Sequence, residues 1–177
     1  MSTLYQIPTG VGASKSVVED FAQRVAEIYD YKPGQSLEEL VAHHGGKIVI
    51  GSSGDEDHDS GSIVARNLND YTIYLSPNTS RLRDRFTIAH ELGHLLLHLP
   101  KIKKACPSAV MRATRWVDMG DSDQRRAELE ANWFAAAFLM PAEAFSEVYS
   151  SAGVDGAKEV FDVSRSAADT RARALGL

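Results

Sequence analysis

His90-Glu91-Leu92-Gly93-His94 is the stretch of this sequence where residue types and spacing together specify a chemistry. On a helix, positions i and i+4 lie about 40° apart around the axis and one turn along it. Two imidazoles so placed point at one spot, at about the separation that one metal ion needs. Glu91 lies about 100° round from His90. It can therefore sit beside a water held by that ion rather than on the ion itself. Two ligands and a general base in this order are the pattern of a His-Glu-x-x-His metallopeptidase. Gly93 lets another element approach closely. The frame is apolar, with Phe86-Thr87-Ile88-Ala89 before the motif and Leu95-Leu96-Leu97 after it. Histidines and a carboxylate buried there cost free energy unless paired or bound to metal. The plain alternative is a surface helix with incidental His and Glu.

Zinc suits this ligand set, and catalytic zinc takes three protein ligands and leaves one position open. A third histidine at the metzincin spacing would fall at residue 100, which is Pro100. The better source is the helical run Glu128-Leu129-Glu130-Ala131-Asn132-Trp133-Phe134-Ala135-Ala136-Ala137. Its small residues allow tight helix packing, and acids within such an apolar run need a reason. Glu128 and Asn132 are one turn apart on one face. Glu128 is the expected third ligand, and Asn132 the expected support of a ligand from behind. Periodicity alone does not decide between Glu128 and its rival Glu130. Both are otherwise read as solvated acids near a helix start, where the dipole favours them.

Other residues are weaker candidates. His98 continues the stripe of His90 and His94; as a fourth ligand it would close the site, so it is expected to cap or pack near the helix end. His43 and His44 sit at another helix end, where His is electrostatically favoured. His58 lies in the acidic loop Asp55-Glu56-Asp57-His58-Asp59, which reads as solvated. Cys106 reads as a free thiol, with a thiolate switch over the metal as the sharper alternative. Arg112, Arg115, Arg125 and Arg126 read as solvated, or as a holder for an acidic partner. Trp116 and Trp133 read as packing residues.

The elements that must position these residues are mostly punctuated. Val17, Val18, Phe21, Val25 and Ile28 recur at helical spacing over 14–31, and Pro33-Gly34 stops that helix. Ser36 with Glu39 makes a capping box for a helix through His43, ended by Gly45-Gly46. Strands are expected at 47–50, 62–66 and 71–75, the last two as a hairpin. Strand 71–75 leads toward the motif helix. It is expected to be the edge to which a substrate backbone adds, with Tyr74 a possible oxyanion helper. A long helix spans 79–99 and is closed by Pro100. Residues 101–122 show no period and read as a long crossover loop of the kind that often carries function. A strong helix spans 123–140, with shorter ones at 142–149, 157–161 and 166–175 around a break at 153–156. Three regions follow: a flexible lead-in at 1–13, a zincin-like domain at 14–150, and a helical appendage at 151–177 packed on it.

Composition narrows the class. The 177 residues are 44% hydrophobic and 24% charged, the balance of one folded domain. A net charge of −5 argues against a surface built to bind nucleic acid, and no direct nucleic-acid binding is expected. No apolar run reaches the ~18–20 residues of a membrane span, and residues 1–16 lack the apolar core of a signal peptide. A single cysteine excludes an internal disulfide, and the reducing cytoplasm is the expected compartment.

The stretches Arg85 to His98 and Glu128 to Pro141, with the ending from Phe161 to Leu177, resemble the ImmA/IrrE family of metallopeptidases, over roughly residues 36–177. The resemblance implies an α+β fold: a gluzincin-like, zincin-like core with a small twisted sheet packed on the active helix, then further helices. It implies zinc held by His90, His94 and Glu128, with Glu91 as catalytic acid/base. It also implies a partner, a helix-turn-helix repressor of the Xre type, which family members cleave to release genes. A toxin-like or non-cleaving partner of an Xre-type antitoxin, built on the same zinc fold, is the alternative. Some relatives carry extra DNA-binding domains, and this chain is expected to have no room for a large one. The segment 160–168 has the look of half a helix-turn-helix, with Arg165, Arg171 and Arg173 nearby, and is expected to pack rather than read DNA.

Overall fold

The computed structural model describes residues 3–51, 62–114, 118 and 120–177. Helix α1 (Lys15–Ile28) begins where Ser14 accepts from the amide of Val17. Helix α2 (Leu37–His43) begins where the Ser36 hydroxyl accepts from Glu39 N at 3.2 Å. Such caps are each worth about 1 kcal/mol. Gly45, at φ +79°, ends α2 in the left-handed conformation that glycine tolerates. Strand β2 (Gly46–Ile50) follows, then β3 (Ser62–Asn67) and β4 (Asp70–Leu75), the expected antiparallel hairpin.

Two further strands complete the sheet. Within the expected lead-in, β1 (Tyr5–Gln6) runs parallel to β5 (Val110–Ala113). The order is β1-β5-β3-β4-β2. Strand β4 is therefore internal, paired to β3 on one side and parallel to β2 on the other. The expectation that 71–75 forms a substrate-binding edge is wrong, because its hydrogen-bonding groups are already used. Alternation along β4 puts Tyr71, Ile73 and Leu75 into the core and Tyr74 on the other face.

Helix α3 (Arg81–Gly93), capped by Ser80, carries the motif. It does not stop at Pro100. A π turn (His94–His98) opens the ladder, and α4 (Leu99–Ala105) starts anew, with Pro100 in its first turn. Proline is tolerated there because the amide it lacks has no helical partner. The long loop expected at 101–122 is thus replaced, over much of its length, by α4 and β5. Helix α5 (Ser122–Leu139), capped by Asp121, packs between α3 and α1. Helix α6 (Ala142–Phe161) is two helical pieces that meet at a kink at Gly153, the first residue of the expected break, whose φ of 65° and ψ of −165° are not helical. Helix α7 (Arg165–Leu175) packs back on α6. The result is a mixed α+β, zincin-like arrangement: one five-stranded sheet with helices against it. No described helix is long and apolar enough to cross a membrane.

The core joins the inner sheet face (Ile63, Ala65, Tyr71, Ile73) to α3 (Ile88, Ala89, Leu92) and α5 (Phe134, Phe138). Arg85, only 2% exposed, donates from Nη1 to Gln35 O at 2.6 Å and from Nη2 to the Tyr31 hydroxyl at 3.0 Å, and pairs through Nε with Asp162 at 3.3 Å. It anchors α3 to the residue that caps α6. His44 stacks on Tyr29 with ring centroids 3.8 Å apart, so this histidine is a packing residue.

Candidate metal centre

Two helices meet at the motif, and a glycine sets how closely. A Cβ added at Gly93 would lie 3.1 Å from Ala131 Cα and 3.2 Å from both Ala131 O and Phe134 Cβ. The bare glycine lets the α5 backbone rest on α3. Glu128 lies three residues before Ala131 on the same face of α5, and this contact swings it onto the histidines.

The donor atoms converge. His90 Nε2 and His94 Nε2 are 3.0 Å apart. Glu128 Oε1 is 3.1 Å from His94 Nε2, and Glu128 Oε2 is 3.3 Å from His90 Nε2. Among the described residues these three form a group able to hold a metal ion. Their back sides are occupied. His90 Nδ1 lies 2.9 Å from Asn132 Oδ1, an acceptor, so this nitrogen carries the proton. His98 Nε2 lies 3.1 Å from the Glu130 carboxylate and must donate to it. Neutral His98 then has an acceptor at Nδ1, 3.1 Å from His94 Nδ1, which therefore donates. When neutral, both His90 and His94 present bare Nε2 lone pairs to a carboxylate and to each other. Two lone pairs and an anion aimed at one point fit a cation, and two nitrogens with one oxygen fit the donor set of catalytic zinc.

The electrostatics agree. Burial, with no full compensation from Glu128, pushes the His94 pKa down to about 4. Burial also opposes protonation of His90. There, however, the hydrogen bond to Glu128 and the charges of Glu91 and Glu128 prevail, and its pKa is raised. Burial would raise the Glu128 pKa, but the two histidines hold it well below the ordinary value. Glu91, next to His90 on α3, is 2% exposed, and its negative charge favours the protonated form of His90. The His90 and Glu128 side chains keep 14% and 27% exposure, so the cluster is reachable from solvent on one side. Beside Asn132, a groove of about 730 Å³ runs between α1, α3, α5 and α7, walled by Phe86, Leu129, Trp133 and Met140.

The structure thus brings together His90, His94, Glu128, Glu91 and Asn132. Glu130, the rival ligand, faces His98 instead. His98 is buried and packs behind His94, outside the group of three that could hold an ion, and only its hydrogen bond to Glu130 was not read from the sequence. Its spacing of four from His94 was the available signal. Cys106 ends α4 beside Ser108, with Sγ 3.7 Å from its hydroxyl, and takes no part in the cluster. Arg126 bonds Glu130 and lies over the Trp133 ring at 5.1 Å. Arg165 pairs with Asp155 within the C-terminal helices, and Arg171 is buried against Glu19 of α1 and Met140 O at the end of α5. His58 with its acidic loop, Arg115 and Trp116 lie outside the described residues.

A family model described as the IrrE N-terminal-like domain, Peptidase_M78, matches residues 42–173. No curated protein matches the chain in sequence. Among solved structures, a Mycobacterium tuberculosis transcriptional regulator is similar, with 18% identity and a TM-score of 0.58 over 88% of this chain and 46% of that one. At that identity the likeness is one of fold, and the chain spans a little under half of the regulator's length.

Proposed function

We propose, on the premise that this chain belongs to the Peptidase_M78 family of IrrE N-terminal-like domains, that it is a zinc-dependent endopeptidase that cleaves a helix-turn-helix transcriptional repressor. The observation that carries the reading is the convergence of His90 Nε2, His94 Nε2 and Glu128 within about 3 Å of one another, with Glu91 next to His90 on α3. In this reading His90, His94 and Glu128 hold the ion. Bound zinc supplies Lewis acidity, lowering the pKa of a water toward ~7 and polarising a carbonyl.

The chain's own residues supply the rest. Glu91 takes the proton from the attacking water and passes it to the leaving amine, a contribution of roughly 10²–10⁴ in rate. Asn132 and His98 hold the two imidazoles in the tautomer that leaves Nε2 free. The groove beside Asn132, with its aromatic and aliphatic walls, suits apolar side chains of a polypeptide. The repressor as substrate is supported by the family resemblance. The similar regulator is consistent with a role in gene control. The lone Cys106, with no disulfide to maintain, suits the cytoplasm.

The test is to incubate the zinc-loaded chain with the helix-turn-helix protein encoded beside it and to follow intact masses. Two new fragments with the wild type, and none with Glu91→Gln, are expected. A stable complex that both forms make without fragments would replace cleavage with a non-cleaving partnership. Fragments from Glu91→Gln at the wild-type rate would remove Glu91 from the mechanism.

A further inference from the structure

We infer that Glu130 and His98 are positioning residues of the metal centre, and that the N-terminal residues 10–13 lock them in place. The inference rests on the reading that His90, His94 and Glu128 hold zinc.

Glu130 has no solvent exposure, and a carboxylate there is costly unless fully paired. It is fully paired. Oε2 accepts from Val11 N at 2.8 Å and from His98 Nε2 at 3.1 Å, and Oε1 from Gly12 N at 2.8 Å and Arg126 Nε at 3.0 Å. Two donors on each oxygen saturate a carboxylate. Gly12, the second of these amides, sits at φ +77°, in the left-handed region that glycine tolerates. The N-terminal segment is itself tied down. Gly10 N donates to Asp123 O at 2.9 Å, Lys101 Nζ to Gly10 O at 2.6 Å, and Arg126 Nη2 to Ala13 O.

The consequence runs inward to His94. Glu130 can only accept, so it fixes the His98 proton on Nε2. His98 Nδ1 can then only accept, so it fixes the His94 proton on Nδ1, away from the cluster. Without the carboxylate, His98 can take the other tautomer and donate toward His94. The His94 proton would then sit on Nε2, among the ligands. An apolar residue of similar volume would fill the space as well or better. What it would not supply is this ordered chain of donors and acceptors. Residues 10–13 lie outside the 42–173 stretch of the family model, yet they form the outermost link.

The test is the zinc affinity of the full chain, read by competition with a chromophoric chelator, and the visible spectrum of the cobalt(II)-loaded protein. Glu130→Gln and His98→Leu are each expected to weaken zinc binding about 10–100-fold and to shift the cobalt bands. The double variant is expected to lose no more than His98→Leu alone, because both changes break one relay. Arg126→Met, at a side chain 37% exposed and so tolerant of change, loosens the outer link and is expected to lose about tenfold. That variant and His98→Leu carry the test if Glu130→Gln does not fold. Wild-type affinity in all the variants, or losses that multiply in the double variant, would overturn the relay and leave the zinc centre standing. A wild-type chain that takes up no zinc would overturn both.

Discussion

Gly93→Ala adds one methyl where two helices touch, and the structure gives its size. The new Cβ would meet Ala131 Cα at 3.1 Å, and Ala131 O and Phe134 Cβ at 3.2 Å. Carbon atoms pack at about 3.5–4.0 Å, so α5 must retreat by roughly half an ångström. The neighbours are backbone and a Cβ, with no flexible end to swing aside. Overpacking of this kind costs about 1–3 kcal/mol. Alanine returns up to about 1 kcal/mol of helix propensity. The net expectation is a loss of about 1 kcal/mol, or about 2–4 °C in Tm for a chain of this size. The larger effect falls on the metal. Glu128 sits on the retreating helix and the histidines on the other, and ligand distances must hold to within about 0.2 Å. Zinc affinity is expected to drop at least about tenfold, comparable to removing an outer-shell partner. Thermal melts in chelator and competition titrations separate the two effects. A variant that melts higher and binds zinc as tightly as the wild type would show that the Gly93–Ala131 contact does not set the ligand geometry.

Four other outcomes follow from the same geometry. Zinc affinity should fall as pH drops through the raised pKa of His90, tenfold per unit once that proton must be displaced; equal dissociation constants at pH 8 and pH 5.5 would contradict this. The zinc-free fold has its own profile, since His94, held neutral down to about 4, contributes stability that is complete above its ordinary 6.5 and lost as pH falls between those values. That loss is about 3 kcal/mol and is measurable as the urea midpoint against pH. Saturating zinc at a hundredfold excess over its dissociation constant should add about 2.7 kcal/mol, so chelation should lower Tm by roughly 5–11 °C. Arg85→Met removes a buried guanidinium with three partners; it should cost about 3 kcal/mol and leave zinc affinity unchanged, since none of its partners touches the cluster.

Much of this was legible because it is encoded locally. Ser14, Ser36 and the β-branched run 47–50 announce their elements within a few residues. The i, i+4 histidines announce a metal because helix geometry is fixed. What was hidden depends on partners distant in sequence. Strand β5 has four residues, too few to show alternation, and is a strand because Val64 and Tyr5 pair with it. Pro100 reads as a stop, and only the π turn before it turns it into the start of another helix. That β4 is internal follows from a parallel pairing with β2, which no turn residue signals. The choice between Glu128 and Glu130 was open for the same reason. Two residues apart on a helix, they face different ways, and Gly93 decides which one meets the histidines.

The two acids also show why neither is spare. Glu91, Glu128 and Glu130 place three carboxylates around the motif, a concentration of negative charge that needs cations. Glu130 has Arg126, two backbone amides and His98. Among the described residues Glu128 has only the two imidazoles, and the raised pKa of His90 means that a proton supplies the positive charge when nothing else does. Zinc would take the place of that proton. Loading the chain at about pH 6.5, the ordinary value for a histidine, should therefore release more than about half a proton per ion, detectable as a dependence of calorimetric binding enthalpy on buffer ionisation enthalpy. In the Glu128→Gln variant the His90 pKa loses its main support, and the release should shrink as the affinity falls. Unchanged proton release in that variant would mean that the proton comes from elsewhere, and the charge argument for Glu128 as the third ligand would fail.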